Sequence, residues 1–274
     1  MPDLGTLLPL LVFLLAIGGF AGVLAGALGV GGGMVLVPAF YYAFTILGYD
    51  SPELMQICLA TSLATIVFTS IRSVLRHHLK GAVDWDLLKG WAPGVALGAL
   101  AGMLVTKGLR SDVLMVLFGV LGVSVGAFLA FGRQDWRLGD SVPTGAVRWI
   151  SAPLIGGLSV LMGIGGGAFA VPLMTAYGRP IHHAVATAAG FGAIIALPSV
   201  AGFALSATSL DGRPPFQLGQ VNLAGFALIV SMTLLTAPLG VRLAHATDAR
   251  VLRRAFAIFV IAMAGNMLRK GIWG

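Results

Sequence analysis

Gly29-Val30-Gly31-Gly32-Gly33-Met34-Val35-Leu36-Val37-Pro38 returns 134 residues later as Gly163-Ile164-Gly165-Gly166-Gly167-Ala168-Phe169-Ala170-Val171-Pro172. Both copies read Gly-x-Gly-Gly-Gly-x-x-x-Val-Pro, and each sits inside a long stretch free of Asp, Glu, Lys and Arg, 4–49 and 149–178. Glycine in a helix interior costs about 1 kcal/mol relative to alanine, so a helix is expected to break at each triplet. In hydrocarbon an unpaired backbone N–H or C=O costs several kcal/mol, and irregular backbone there must be buried in protein or line a wet cavity. Pro38 and Pro172 suit the first residue of the helix that follows, or a second disruption inside it.

The chain around these motifs reads as membrane protein. Of its 274 residues 58% are hydrophobic and 10% charged, against roughly 25% charged in a soluble domain. Further charge-free stretches lie at 54–71, 90–106, 113–132, 180–210, 214–241 and 255–268, and about 20 apolar residues cross a bilayer as helix. The net charge of +7 would suit nucleic acid only if massed on one face. Here the basic residues separate apolar runs, as in membrane loops, so the expected partner is the lipid bilayer and not nucleic acid. The lone Cys58 excludes disulfides within the chain and cysteine-based metal sites. Met1-Pro2-Asp3 lacks a basic n-region and the first apolar run is too long for a cleaved signal, so it reads as a retained membrane segment.

The duplication extends beyond the glycines. Ala60-Thr61-Ser62 matches Ala186-Thr187-Ala188, Gly81-Ala82-Val83-Asp84 matches Gly219-Gln220-Val221-Asn222, and Ala92-Pro93 matches Ala237-Pro238. The expected organisation is a first transmembrane repeat at 1–132, a cytoplasmic linker at 133–148 and a second repeat at 149–274. Run 4–49 would be roughly 69 Å of straight helix, over twice the roughly 30 Å hydrocarbon core, and run 149–178 roughly 45 Å. A glycine-broken hairpin of short or half-length helices fits both. Three spans then follow in each half, near 54–75, 87–107 and 112–132, then 182–207, 218–243 and 250–269. The expected fold class is therefore an all-α polytopic membrane protein of two inverted repeats. With two hairpins, 12 Lys/Arg fall inside and 5 outside; with two single crossings the better split is 10 to 7. The positive-inside rule favours the hairpins, placing both termini outside.

A helix that starts beside bare glycine backbone offers free N–H groups and a partial positive charge, the physics of anion sites. Gly31, Gly32, Gly33, Gly165, Gly166 and Gly167 are thus candidate substrate-binding residues, with Thr61, Ser62 and Thr187 beside them. Thr61, Thr65 and Thr69 recur at four-residue spacing with Arg72 on the same helical face, so Thr65 and Arg72 join Pro38 and Pro172 as pathway or gating candidates. The alternative for such hydroxyls is a bond to their own backbone or to a neighbouring helix. Gly18, Gly22 and Gly26, and Gly94, Gly98 and Gly102, have the four-residue spacing of helix packing. Neither triplet ends in Gly-Lys-Ser/Thr, so a phosphate-binding loop is excluded.

All ten acidic residues, Asp3, Asp50, Glu53, Asp84, Asp86, Asp112, Asp135, Asp140, Asp211 and Asp248, fall at expected loops or helix ends. No mid-membrane carboxylate is left for a proton relay or sodium site. His77-His78 and His182-His183 are placed at the cytoplasmic surface, solvated or sensing protons. No catalytic or metal constellation appears, so neither an enzyme nor a cofactor is expected.

The paired Gly-x-Gly-Gly-Gly-x-x-x-Val-Pro segments, each followed by Ala-Thr, and the charged linker between hydrophobic halves resemble the TauE/SafE family of sulfite exporter-like membrane proteins. The resemblance implies transport, usually export, of small sulfur oxyanions or organosulfonates across the bacterial inner membrane. By that resemblance the motif residues are Gly29, Gly31, Gly32, Gly33 and Pro38, then Gly163, Gly165, Gly166, Gly167 and Pro172, with Thr61 and Thr187 as the polar neighbours. Ala188 stands where the first repeat has Ser62, so the two halves of the site differ. Export of an anion needs no coupling ion, since an inside-negative potential favours it by roughly 2.3 kcal/mol per 100 mV. Proton- or sodium-coupled uptake and a passive anion channel are the alternatives. The oligomeric state, monomer or homodimer, is open.

Overall fold

The computed structural model describes residues 4–28, 32–132, 137–206, 212–246 and 249–274. Among the described residues ten α-helices and one minimal hairpin follow in order: α1 Leu4–Leu28, α2 Gly33–Ile46, α3 Leu54–Leu79, α4 Trp85–Gly108, α5 Ser111–Phe131, α6 Gly145–Leu161, α7 Gly167–Ala176, α8 Ile181–Ala204, β1 Gln217–Leu218, β2 Val221–Asn222, α9 Leu223–Ala246 and α10 Ala249–Trp273. The protein is all-α and polytopic. Among the described residues six helices are long and apolar enough to cross a membrane, in α3, α4, α5, α8, α9 and α10.

Both helix breaks fall at the glycine triplets, as glycine's poor helix propensity requires. The segments on either side are unequal. The ten residues of α7 span about 15 Å and the 14 of α2 about 21 Å, too short to cross alone. The 25 residues of α1 reach about 38 Å, a full-length helix where a short or half-length one was expected. Its Gly18, Gly19 and Gly22 do not break it, because each lies against α9: Gly18 faces Ile229 and Met232, Gly19 faces Met232 and Thr236, and Gly22 faces Thr233 and Thr236. Gly94, Gly98 and Gly102 likewise lie against Ala152, Pro153 and Gly157 of α6, so the four-residue glycine spacings are packing surfaces. The side chain position of Gly26 lies outside the described residues. Pro38 and Pro172 are inside their helices, at the sixth position of each, where proline leaves the carbonyl four residues earlier unpaired.

At the centre, α3 and α8 pack together. Every residue of α3 from Leu54 to Ile66 is buried, as befits a helix surrounded on all sides by protein. Around this pair α1 packs on α9, α6 on α4 and α5 on α10, contacts that exchange the two halves of the sequence, while α2 packs on α3 and α7 on α8 within their own halves. Leu97, Leu104, Phe128, Leu197, Leu235 and Ile258 are exposed on the perimeter, apolar surface that a soluble protein avoids and lipid accepts.

The directions of α3 and α8 follow from two bonds. His183, near the start of α8, donates its Nδ1–H to the carbonyl of Ala82 just past the end of α3, at 2.9 Å. At the other end Gln220 links the last turn of α8 to the start of α3, its N–H bonded to Phe203 C=O at 3.0 Å and its Nε2 lying 3.4 Å from Glu53 Oε2. The two helices are antiparallel.

The β1–β2 hairpin pairs Gln217 with Asn222 and Leu218 with Val221. It precedes α9, which starts at Leu223 and not near 218. Gly219 takes φ +56° at the turn, a conformation that glycine adopts at no steric cost. Before α6, the helix begins at Gly145, within the 133–148 segment; Leu138 N–H binds Ala176 C=O at 2.7 Å, holding that connection to the end of α7.

Candidate functional site

The two glycine breaks meet. A Cβ added at Gly33 would overlap the Gly163 carbonyl and come within 2.9 Å of Ile164 Cγ2, so the start of α2 abuts the second glycine loop in a way only glycine permits. Gly32, Gly33 and the whole of 163–167 are buried. Gly29 and Gly31 lie outside the described residues. Gly163 and Gly166 take φ +61° and +72°, left-handed values that cost a side-chain-bearing residue about 1–2 kcal/mol. This turn lets Gly167 N–H bond to Gly165 C=O at 2.8 Å, and Phe169 and Ala170 N–H to Gly166 C=O at 3.1 and 2.8 Å, starting α7. In the first repeat Val35 and Leu36 N–H bond to Gly32 C=O, both at 3.0 Å.

Thr61 and Thr187 occupy matching roles. Thr61 Oγ1 accepts the backbone N–H of Asn222 at 2.9 Å, and Thr187 Oγ1 accepts that of Asp84 at 3.0 Å. Each bond joins one half of the sequence to the other, and Asp84 and Asn222 are the residues the internal repeat equates. Both then cap the helix that follows: Asp84 Oδ1 accepts Leu87 N–H at 3.0 Å and Asn222 Oδ1 accepts Gly225 N–H at 2.7 Å, the side-chain N-cap pattern. Their side chains differ in charge. Asp84 pairs with Arg179 at 2.9 Å, whereas the neutral Asn222 donates to Pro215 C=O at 2.7 Å. Asp84 thus serves as a cap and ion-pair partner, while Asp86 sits exposed in the first turn of α4.

The other polar candidates divide. Ser62 donates to Gly163 C=O at 2.8 Å, tying α3 to the second glycine loop. Thr65 and Thr69 bond to their own helix at Ser62 C=O, 2.7 Å, and Thr65 C=O, 3.1 Å, the backbone alternative for membrane hydroxyls. Arg72 is exposed, apart from the buried glycines. Pro172 lines a cavity of about 280 Å³ with Leu121, Ser124, Val125, Phe128, Ala168 and Phe169. The Ser124 hydroxyl bonds its own helix at Val120 C=O, which leaves that cavity apolar.

The acidic residues that are described keep to loops and helix ends: Asp50 and Asp140 in loops, Glu53 and Asp84 before α3 and α4, Asp86 and Asp112 in first turns. Asp3, Asp135, Asp211 and Asp248 lie outside the described residues. The two histidine pairs come to one end of the molecule, where Trp85 Nε1–H donates to His78 Nδ1 at 3.0 Å and His183 reaches Ala82. Among the described residues no group of three or more His, Cys, Asp or Glu is placed to hold a metal. Sequence reasoning did not single out Asn222, Arg179 or Ser159. The Gly81–Asp84 and Gly219–Asn222 match was the available signal for the first; Arg179 carried none.

A lipid-facing perimeter, broken helices meeting in the interior and hydroxyls linking two sequence halves define a polytopic membrane transporter class of architecture. The family model for the sulfite exporter TauE/SafE matches residues 14–267, and the chain belongs to that family of membrane transporters. It is 32% identical over 256 residues to a "Probable membrane transporter protein" of Haemophilus influenzae, covering 93% of this chain and 97% of that one. It is 26% identical to a protein of the same description from Methanocaldococcus jannaschii, over 90% of each chain, and 27% identical to one from Bacillus subtilis, over 60% of this chain and 66% of the other. No solved structure matches the chain.

Proposed function

We propose that this transporter exports a small oxyanion, such as sulfite or an organosulfonate, bound between the two glycine breaks, and that its halves, 1–132 and 149–274, are inverted repeats joined by the 133–148 linker. The observation that carries the reading is the contact of Gly33 with Gly163 and Ile164, which sets the start of α2 against the buried loop that leads into α7, each helix having a glycine N-cap. Helix N-termini attract anions without a cationic side chain. The antiparallel course of α3 and α8 supports the inversion, and the inverted reading sets Thr61–Asn222 and Thr187–Asp84 towards opposite membrane faces. The family description supports sulfite as the first ligand to try, in the inner membrane of a bacterium, with both termini outside.

The purified protein tested for thermal stabilisation by sulfite, sulfoacetate, sulfolactate, taurine, sulfate, phosphate, chloride and acetate examines this directly, since a ligand of the folded state raises its melting temperature. One sulfur anion is expected to stabilise it selectively, and Gly166→Val or Gly32→Val to reduce both that shift and efflux from proteoliposomes. A folded Gly166→Val variant with unchanged binding and transport rejects the backbone anion site.

A further inference from the structure

We infer that Ser159 of α6 is a ligand of the transported oxyanion, supplying a donor beside the second glycine loop on its side of the space between the two breaks. The inference rests on the oxyanion reading above and names a residue that reading does not contain.

Ser159 is 0% exposed, and its Oγ has no hydrogen-bond partner. It is the only buried hydroxyl among the described residues in that condition: Thr61, Ser62, Thr65, Thr106, Thr187, Ser199, Ser206 and Thr233 are all bonded. Thr106 and Ser199 satisfy themselves on the carbonyl four residues earlier in their own helix, at 2.8 Å each. The Ser159 hydroxyl instead lies by the loop, 3.9 Å from where a Gly166 Cβ would be. Gly166 is the N-cap of α7. Buried hydroxyls without a partner are destabilising and rare, so one aimed at a helix start calls for a missing acceptor.

The surroundings specify that acceptor. Among the described residues the N–H groups of Gly165, Gly166 and Ala168 have no bonded partner, and they share the turn that Ser159 faces. In the same loop the Gly163 C=O accepts the Ser62 hydroxyl. No described acidic residue lies inside a helix beyond its first turn, so no described carboxylate there repels negative charge. An O–H and several N–H donors, all neutral, fit a small oxyanion with several acceptor oxygens. The walls are apolar, Ile195 Cδ1 at 2.7 Å and Phe191 Cβ at 3.4 Å from the Gly166 Cβ position. Entry of the anion therefore displaces the end of the Ile195 side chain. The first repeat has Ala25 at the position equivalent to Ser159, and the second has Ala188 at that of Ser62; both serines thus serve the one loop.

Binding of sulfite and sulfoacetate, with chloride as comparison, would be measured by titration of the full-length protein and of Ser159→Ala, Ser199→Ala and Gly166→Val. Ser159→Ala is expected to melt no lower than the parent without ligand, because it removes an unpaired hydroxyl, and to bind the oxyanion roughly tenfold more weakly, the loss of one hydrogen bond to a charged group. Ser199→Ala, whose hydroxyl only bonds its own helix, is expected to keep full affinity. A Ser159→Ala protein that melts lower without ligand overturns the inference whatever its affinity, since the hydroxyl is then structural. Unchanged affinity in Ser159→Ala together with lost affinity in Gly166→Val removes Ser159 and leaves the oxyanion reading standing. Absence of oxyanion binding in the parent protein removes both.

Discussion

Thr61 and Thr187 each do with one oxygen what a loop would otherwise need water to do: they satisfy a backbone N–H where the chain turns into a helix inside the molecule. Replacing threonine by valine keeps the shape and removes only the acceptor, and a buried N–H left without one costs about 1–3 kcal/mol. Thr61→Val and Thr187→Val are both expected to lower stability by that amount in denaturant or thermal unfolding. Thr65→Val, whose hydroxyl bonds its own helix, is expected to change it by less than about 1 kcal/mol. A Thr61→Val or Thr187→Val protein as stable as the parent would mean that these hydroxyls do not hold the two halves together.

The starts of α4 and α9 are built alike at the level of the element, and only α4 adds charge. Asp84 caps Leu87 N–H and pairs with Arg179, with side chains 23% and 47% exposed. Partly exposed ion pairs contribute about 0–1 kcal/mol, and an N-cap about 0.5–2 kcal/mol. Asp84→Asn, which keeps a capping oxygen as Asn222 does, is expected to lose less than about 1 kcal/mol of stability, and Asp84→Ala to lose more than Asp84→Asn. The comparison is a pair of unfolding curves; equal losses would place the whole effect in the ion pair. The glycine-broken elements were legible because triplet glycine opposes helix whatever surrounds it. The full length of α1 was not, since its single glycines are held helical by α9.

For the whole molecule the decisive quantity is sidedness. Lys80 and Leu218, both exposed, follow the equivalent helices α3 and α8. In a background with Cys58 replaced, Leu218→Cys is expected to react with a membrane-impermeant maleimide on intact cells. Lys80→Cys is expected to react only after the cells are opened. Reaction of both from the same side would overturn the inversion. The 12-to-5 distribution of basic residues and the antiparallel central helices point the same way for separate reasons, one electrostatic and one geometric.

What the chain's composition and order determined by themselves was local: where helices span, where glycine breaks them, which segments repeat, and that the described carboxylates stay at the ends. Each of these depends on the free energy of a short segment in lipid, which its own residues set. Pairings between distant residues were decided only in three dimensions. Thr61 with Asn222, Ser62 with Gly163, Arg179 with Asp84, and Ser159 left without a partner beside Gly166 are separated by up to 161 residues of sequence. Whether a serine bonds its own helix or faces a distant loop depends on where neighbouring helices settle, and helical spacing is the same in either case.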